Sequence, residues 1–217
     1  MIGVVITTYN RKDILRETLQ RAKEFLKSSE PLRYYICDDG SEDGTFEMLA
    51  YQSIDFRLIK NNRVGLGANA NSGLRLAFNE TDVVLQFQDD LWLEGSLDLD
   101  PHAKVLRELQ WVRWVRLGQY VGHGFQAQMA GDYWVIDWNS PEIYIASDKP
   151  HIKHRDFHQY FGYYPEGLRV ADTENSWCGN VKQQAMGVHN APLVAIAATV
   201  PNGIFSHVGP SWQTEGL

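Results

Sequence analysis

The sequence predicts an α/β fold in which a Rossmann-like, mostly parallel sheet is flanked by helices. Two observations in residues 1–90 carry this prediction. Short apolar runs rich in β-branched and aromatic residues, as expected for buried strands, recur at 3–8, 33–37, 56–60 and 83–88. Segments with helical spacing separate these runs, and a β-α-β-α-β-α-β order implies a parallel sheet with right-handed crossovers.

The helices between these strands are predicted from the spacing of apolar side chains. Over residues 12–27 such side chains recur three and four positions apart, which is typical of an amphipathic helix. A short helix is predicted at 46–51, and Leu66, Ala70 and Leu74 begin the buried stripe of the next one.

The second half of the chain has weaker periodicity. The predicted helices are 101–109 and 172–186, and the predicted strands are 111–118, 133–138 and 143–147. Apolar and basic residues alternate in the first of these strands, which predicts a half-exposed strand. We expect Arg113 and Arg116 on its solvated face, with contact to a phosphate or an acidic acceptor as the alternative.

Composition limits the classes of function. With 217 residues, 44% of them hydrophobic, the chain can form one sizeable core or two closely packed subdomains. A net charge of −7 argues against a nucleic-acid groove, which usually shows a basic excess. No apolar run is long enough to span a bilayer, and the N-terminus lacks a signal-peptide pattern. The two cysteines, Cys37 and Cys178, suit a reducing compartment, so we expect a cytoplasmic protein.

Polar and acidic residues follow three of the predicted strands. They lie at Thr8 to Asn10, at Asp38 to Ser41, and at Asp89 and Asp90. The carboxyl ends of parallel strands share one edge of a sheet, which is where ligands bind in open α/β folds. Adjacent carboxylates repel each other, and a divalent cation that holds a diphosphate would explain their presence at that edge. The alternative is a solvated turn in which the acids merely end the strand.

Two other interpretations have weaker support. The pair Gly65 and Gly67 follows the third strand and lacks a third glycine, whereas a dinucleotide fingerprint follows the first strand. His151, His154 and His158 recur at helical spacing and could ligate zinc, but no Glu follows the first His as in a zinc hydrolase. A surface helix near the acceptor is the favoured interpretation of the histidines.

Four blocks together resemble the inverting glycosyltransferases of family 2, which have the GT-A fold. The blocks are VVITTYNR at 4–11, CDDGSEDGT at 37–45, NRVGLGANANS at 62–72 and LQFQDD at 85–90. The resemblance implies inverting transfer of a sugar from a nucleotide sugar to an acceptor hydroxyl, assisted by Mn²⁺ or Mg²⁺. The expected nucleotide is UDP, with dTDP or GDP as the second choice. The expected acceptor is a glycan, a lipid-linked molecule or a protein. Residues 1–95 would bind the donor, and 96–217 would bind the acceptor and supply the base.

The resemblance also assigns donor-binding residues. Thr8 and Tyr9 match the loop under the nucleobase, and Asp39, with Asp38 beside it, matches the acid that binds the base or ribose. The remaining donor-binding positions are Arg11, Arg63, Gly67, Asn71 and Asp89.

The metal and base positions follow from the same resemblance. Asp89 and Asp90 match the family's aspartate-x-aspartate metal motif, although Phe87-Gln88 stands where a further Asp is usual. His207 matches a metal-binding His near the C-terminus. The ADTEN segment matches the family's acidic base motif with Ala171 in place of its first Glu, so Asp172 is the expected base and Glu174 the second choice.

Two alternative functions remain. A sugar-phosphate nucleotidyltransferase has a related fold, but VVITTYNRKD lacks the glycines expected after its first strand. A non-catalytic sugar-nucleotide-binding protein would explain Gln88 and Ala171, which occupy positions where the family prefers an acid.

Overall fold

A computed structural model describes residues 1–117, 126–188, 191, 193–197 and 204–208. Its strands are β1 (Ile2–Thr8), β2 (Leu26–Lys27), β3 (Leu32–Asp38), β4 (Phe56–Lys60), β5 (Val83–Gln88), β6 (Leu91–Leu93), β7 (Leu97–Asp98), β8 (Val112–Arg116), β9 (Ala127–Ala130), β10 (Tyr133–Ile136), β11 (His151–His154), β12 (Leu193–Ala197) and β13 (Phe205–His207). Its helices are α1 (Lys12–Phe25), α2 (Thr45–Leu49), α3 (Leu66–Glu80), α4 (Asp100–Glu108), α5 (Asp156–Phe161) and α6 (Val170–Gly187), with a 3-10 helix at Tyr144–Ala146.

The predicted parallel sheet of the first half is confirmed. β4, β3, β1 and β5 lie side by side in that order, and each neighbouring pair is parallel. Because these strands point the same way, Thr8, Asp38 and Gln88 end on one edge of the sheet.

The second half continues the same sheet. β11 pairs antiparallel with β5, with His151 opposite Gln86, and the order then runs β8, β12, β10 and β9. Only β11 and β10 run against the others, so seven of the nine strands in this described sheet share one direction. Helices cover both faces, which gives the mixed α/β architecture predicted from the sequence.

Alternate residues of β5 show how the two faces are filled. Leu85 and Phe87 belong to one apolar cluster, together with Leu15 of α1 and Leu106 of α4. Val84 belongs to the cluster on the other face, which contains side chains of α3, α5 and α6. No helix in the described parts of the chain is both long and apolar enough to cross a membrane.

The prediction of a half-exposed strand at 111–118 is wrong. Arg113 and Arg116 are both buried, because β8 lies inside the sheet and is covered on both faces. The Arg116 guanidinium donates to the carbonyl oxygens of Tyr144 and Ile145, and Arg113 donates to that of Leu106. Backbone carbonyls therefore satisfy charges that the alternating pattern suggested were solvated.

The predicted strand at 143–147 is a 3-10 helix instead. The expected histidine helix is also wrong, because His151 and His154 lie on strand β11 and His158 lies on α5. His151 stacks on Trp114 with ring centroids 3.7 Å apart. Within the described residues no three His, Cys, Asp or Glu side chains are grouped to hold a metal, so a zinc site here is not supported.

Candidate functional site

Asp89 is fixed at the junction of β1, β5 and α1. Its Oδ2 accepts a 2.6 Å hydrogen bond from the Thr8 hydroxyl, and its backbone N–H donates to Thr7. Its carbonyl oxygen accepts from the Thr18 hydroxyl. Burial, reinforced by the charge of Asp90, raises the pKa of Asp89 to about 7 despite Thr8 and Arg11. Asp89 is thus an anchored acid inside the edge of the sheet.

Asp90 faces two groups that reach it from different parts of the chain. The Arg11 Nη1 lies 2.7 Å from Asp90 Oδ2 and 3.2 Å from Asp89 Oδ1, so one guanidinium bridges both acids. The His207 Nε2 lies 3.3 Å from the same Asp90 Oδ2. β13 brings His207 there by pairing antiparallel with β6, which follows Asp90 directly.

The pair Asp90 and His207 fits a small divalent cation. Neighbouring ligands of an octahedral ion with bonds of about 2.1 Å lie about 3 Å apart, close to the 3.3 Å found between these two atoms. Because one of the two ligands is an imidazole, the pair suits Mn²⁺ better than Mg²⁺. Asp89 fits less well as a direct ligand, because Thr8 and Arg11 contact both of its oxygens, whereas the contacts of Asp90 with Arg11 and His207 described above involve Oδ2 alone. Within the described residues the protein would supply two ligands, leaving the remaining positions to diphosphate oxygens and water.

The two acids after β3 are occupied by hydrogen bonds of the neighbouring loops. Asp38 accepts from the backbone N–H and the hydroxyl of Ser41. Asp39 accepts from the backbone N–H groups of Val64 and Gly65, at 2.7 and 2.9 Å. A carboxylate oxygen has two acceptor positions, so Asp39 can still bind a ligand while it holds the loop between β4 and α3.

Tyr9 and Arg63 form the outer part of this edge. The Arg63 guanidinium lies 5.3 Å from the centroid of the Tyr9 ring, which is a cation–π contact between two of the predicted donor loops. Asn10 and Arg63 have positive φ values of 49° and 52°. Left-handed backbone at non-glycine residues is concentrated at functional sites, and both examples in the described residues lie here.

Gly67 and Asn71 connect the first half of the chain to the second. A Cβ on Gly67 would lie 2.0 Å from the Pro165 carbonyl oxygen, so only glycine permits this approach. The buried Asn71 amide donates to Tyr164 O and Glu166 Oε1 and accepts from Tyr164 N. Both residues therefore contact the segment before α6, and the donor contact that the resemblance implies for them stays a prediction.

The two residues expected as the base, Asp172 and Glu174, lie in different environments. Asp172, in the first turn of α6, is 45% exposed and pairs with Arg169 at 2.7 Å. Glu174 lies beside Asp148, whose backbone N–H is 3.4 Å from Glu174 Oε1. Thr173, between them, packs against Gly67, which places the start of α6 next to the donor loops.

Sequence analysis did not find Asp148. It follows the 3-10 helix, in a Ser-Asp-Lys-Pro turn that carries no motif. Its Oδ2 accepts a 2.5 Å hydrogen bond from the Gln88 amide, so it lies at the end of β5 beside the acid pair. In the sequence, the only indication was Gln88, which stands where the family usually has an Asp. It did not indicate that Asp148 would be its hydrogen-bond partner.

The fold is that of a GT-A glycosyltransferase. The sequence model described as Glycosyl transferase family 2 matches residues 3–161, so the chain belongs to glycosyltransferase family 2. The sequence matches no curated protein.

Solved structures support the fold at low sequence identity. S. aureus TarS residues 1–349 in complex with UDP-GlcNAc has a TM-score of 0.70 and 18% identity, covering 100% of this chain and 61% of that one. Mannosyltransferase PcManGT from Pyrobaculum calidifontis, in complex with GDP-Man and Mn²⁺, has a TM-score of 0.56 and 16% identity. The match covers 94% of this chain and 58% of that one. The chain thus spans about three fifths of these proteins.

Proposed function

We propose that this protein transfers a sugar from a nucleotide-sugar donor to an acceptor hydroxyl with inversion at the anomeric carbon. The observation that carries the proposal is the meeting of Asp90 and His207, 3.3 Å apart, beside the anchored Asp89 at the carboxyl edge of the sheet. Residues 1–95 bind the donor, and 96–217 bind the acceptor, which is a glycan, a lipid-linked molecule or a protein.

The donor loops surround the nucleotide. Tyr9 and Arg63 present an aromatic ring and a guanidinium to the nucleobase, and Asp39 accepts from the base or ribose. Arg11 lies next to the position of the diphosphate and provides positive charge for it. UDP is the first candidate nucleotide and dTDP or GDP the next. The UDP-GlcNAc complex of TarS and the GDP-Man complex of PcManGT are structural likenesses that make UDP and GDP both candidates.

Asp90 and His207 hold Mn²⁺ or Mg²⁺, with Asp89 keeping Asp90 in position. The cation, when bound, supplies positive charge that offsets the charge of the departing nucleoside diphosphate.

Asp172 accepts the proton of the acceptor hydroxyl, and Glu174 is the second candidate for this role. Asp172 lies in the first turn of α6, which the contact between Thr173 and Gly67 places next to the donor loops. Direct attack by the deprotonated hydroxyl on the face opposite the leaving group gives inversion in one displacement.

Calorimetric binding of UDP, GDP and dTDP, each with and without Mn²⁺, tests the donor and metal sites together. Wild type is expected to bind one nucleotide in a Mn²⁺-dependent manner, and Asp90→Ala is expected to abolish the dependence. Asp132→Ala removes an exposed carboxylate in the turn just before β10 and serves as the matched control.

Measuring turnover distinguishes an enzyme from a non-catalytic binding protein. With the matching nucleotide sugar, Asp172→Asn is expected to slow nucleotide release by about 10²- to 10⁴-fold, the range for loss of a general base. Nucleotide binding without release under any condition would favour the binding protein. Failure of every nucleotide to bind would overturn the proposed function.

A further inference from the structure

An open cleft lies between α3 and α5 and has a cationic lining. Its volume is about 270 Å³, just below the roughly 300–1,000 Å³ of most small-molecule sites. Its polar and aromatic side chains are two arginines, two amides, a histidine and a tyrosine: Arg75, Asn79, Arg155, His158, Gln159 and Tyr163. In the part of the chain that the structure describes, no carboxylate lines it. The cleft therefore concentrates positive charge in a protein whose net charge is −7.

The cleft lies at the end of the sheet opposite to the proposed donor site. Arg155 directly follows His154, which pairs with Val83, the first residue of β5. The two acids of the metal motif follow the other end of the same strand. The six residues of β5 span roughly 20 Å, so the cleft is separate from the position of the donor.

The Arg75 guanidinium is held in position at one wall of the cleft. Its Nη2 lies 3.1 Å from Glu166 Oε1, and the guanidinium lies 4.9 Å from the centroid of the Tyr163 ring. The Tyr163 ring stacks on His158, with the centroids 4.6 Å apart and the planes within 7° of parallel. His158 Nδ1 donates to the Gly162 carbonyl oxygen at 2.7 Å. A guanidinium held by these contacts loses little side-chain entropy when it binds a ligand.

The second guanidinium has no partner of its own. Arg155 is half-buried, and its side chain makes no hydrogen bond or ion pair with any described residue. The neighbouring carboxylate of Asp156 lies 3.5 Å from Arg113 and 3.3 Å from His154 instead. The buried Nε2 of His158, in the lining of the cleft, also has no described partner. An unpaired cation beside a pre-positioned one in a concave surface indicates an anionic ligand.

We propose that this cleft binds a small sugar that carries a phosphate or carboxylate group, with Arg75 and Arg155 binding the anion. Guanidinium groups bind both kinds of anion through paired N–H donors. The exposed amides of Asn79 and Gln159 can donate to and accept from sugar hydroxyls. The net charge of −7 opposes the approach of a long polyanion, which favours a small ligand. This site goes beyond the proposed function and does not depend on it.

The test measures sugar binding by saturation-transfer difference NMR with the full chain. The charged probes are glucose 6-phosphate and glucuronate, and glucose is the neutral probe. Line broadening in ³¹P spectra follows inorganic phosphate. Concentrations up to about 50 mM suit the millimolar affinity expected of a site with few contacts. Arg155→Gln and Arg75→Gln are compared with wild type, Arg16→Gln removes another exposed arginine as the control, and melting temperatures verify folding.

We expect one of the two charged sugars to bind wild type at least about tenfold more tightly than glucose or inorganic phosphate. Arg155→Gln should weaken this binding by about ten- to a hundredfold, the loss typical of hydrogen bonds to a charged group. Its melting temperature should stay close to that of wild type, because the guanidinium has no described partner to lose. Arg75→Gln should also weaken the binding, whereas Arg16→Gln and Asp90→Ala should retain it.

Several results would overturn the site. No binding of either charged sugar would remove it, equal binding of glucose would exclude an anion site, and equal binding of inorganic phosphate would exclude a sugar site. Wild-type affinity in both cleft variants, or an equal loss in Arg16→Gln, would show that the two arginines do not form it. Displacement of the sugar by UDP, GDP or dTDP with Mn²⁺ would assign the binding to the donor site instead. Failure of every nucleotide to bind would count against the proposed function alone.

Discussion

Arg11 is the residue whose position most changes the interpretation of the acid pair. Its guanidinium lies within 3.2 Å of both Asp89 and Asp90, so a protein cation already neutralises the acids where a metal is expected. A second cation at Asp90 would then be opposed by a positive charge at close range. The charge of Arg11 and the binding of metal are therefore expected to compete when no nucleotide is present.

Replacing Arg11 by Met is expected to tighten binding of Mn²⁺ alone by about tenfold or more. A positive charge within 4 Å opposes another by roughly 1–4 kcal/mol, depending on the local dielectric. The same substitution is expected to weaken nucleotide binding, since it removes positive charge from the diphosphate position. Electron paramagnetic resonance of free Mn²⁺ measures the first effect, and calorimetry with the nucleotide measures the second.

Arg16→Met is the matched control, because Arg16 is on the same helix and pairs with the exposed Asp13 instead. It should leave both affinities unchanged. Equal or weaker Mn²⁺ binding by Arg11→Met would show that Arg11 does not compete with the metal.

Among the elements, β1, β3, β4 and β5 were predictable because each is a local pattern. The run from Val83 to Phe87 is apolar because β5 is covered on both faces, and its sequence shows this without knowledge of its neighbours. β8 is equally central, yet Arg113 and Arg116 interrupt its apolar pattern. The carbonyls that accept from Arg116 lie 28 and 29 positions away, and Arg113 donates to carbonyls that are exposed at the end of α4 only by the folding of the chain, so the alternating pattern did not indicate either set of partners.

In the site, too, local sequence patterns predicted some positions, whereas contacts between residues far apart in the chain could not be predicted. Thr8, Asp89 and Asp90 could be placed together because they follow parallel strands of one sheet. The link between Gln88 and Asp148 joins residues sixty positions apart and depends on a turn without a motif. Gly67 and Asn71 belong to one of the predicted donor blocks, which stays a prediction, and their contacts with the segment before α6 depend on the packing of the two halves.

The contact between Gly67 of α3 and Pro165, in the segment before α6, leads to a prediction about stability. Gly67→Ala would place a methyl group 2.0 Å from the Pro165 carbonyl oxygen, so the backbone must move. We expect a loss of about 1–3 kcal/mol in the free energy of unfolding, as for overpacked sites. Urea denaturation followed by circular dichroism measures the change.

Gly179 provides the matched control, because it lies within α6 and a Cβ there would meet no atom within 4 Å. Gly179→Ala should stabilise the protein by about 0.5–1 kcal/mol, through the higher helix propensity of alanine. If both substitutions changed the stability alike, the close approach at Pro165 would not be a constraint on the fold.

For the molecule as a whole, buried neutral histidines link stability to pH. His102, His151 and His158 are buried, and burial lowers the pKa of each, that of His102 to about 4. Below pH of about 6.5 the unfolded chain binds protons that these folded imidazoles do not. Stability therefore decreases as the pH falls. Asp89 and Asp148 contribute in the opposite direction, because a raised carboxyl pKa favours proton binding by the folded state.

His102→Gln isolates one of these contributions from the rest. The His102 Nδ1 lies 2.9 Å from the Tyr133 hydroxyl, and glutamine can keep a polar contact there without titrating. Between pH of about 6.5 and 4, wild type should lose about 1.4 kcal/mol per pH unit more than the variant. The variant is expected to be less stable at pH 7 by about 1 kcal/mol through poorer hydrogen bonding, so the two curves should converge and then cross as the pH falls. Urea denaturation at several values from pH 7.5 to 5 measures the difference, and parallel curves would show that His102 titrates alike in the folded and unfolded states.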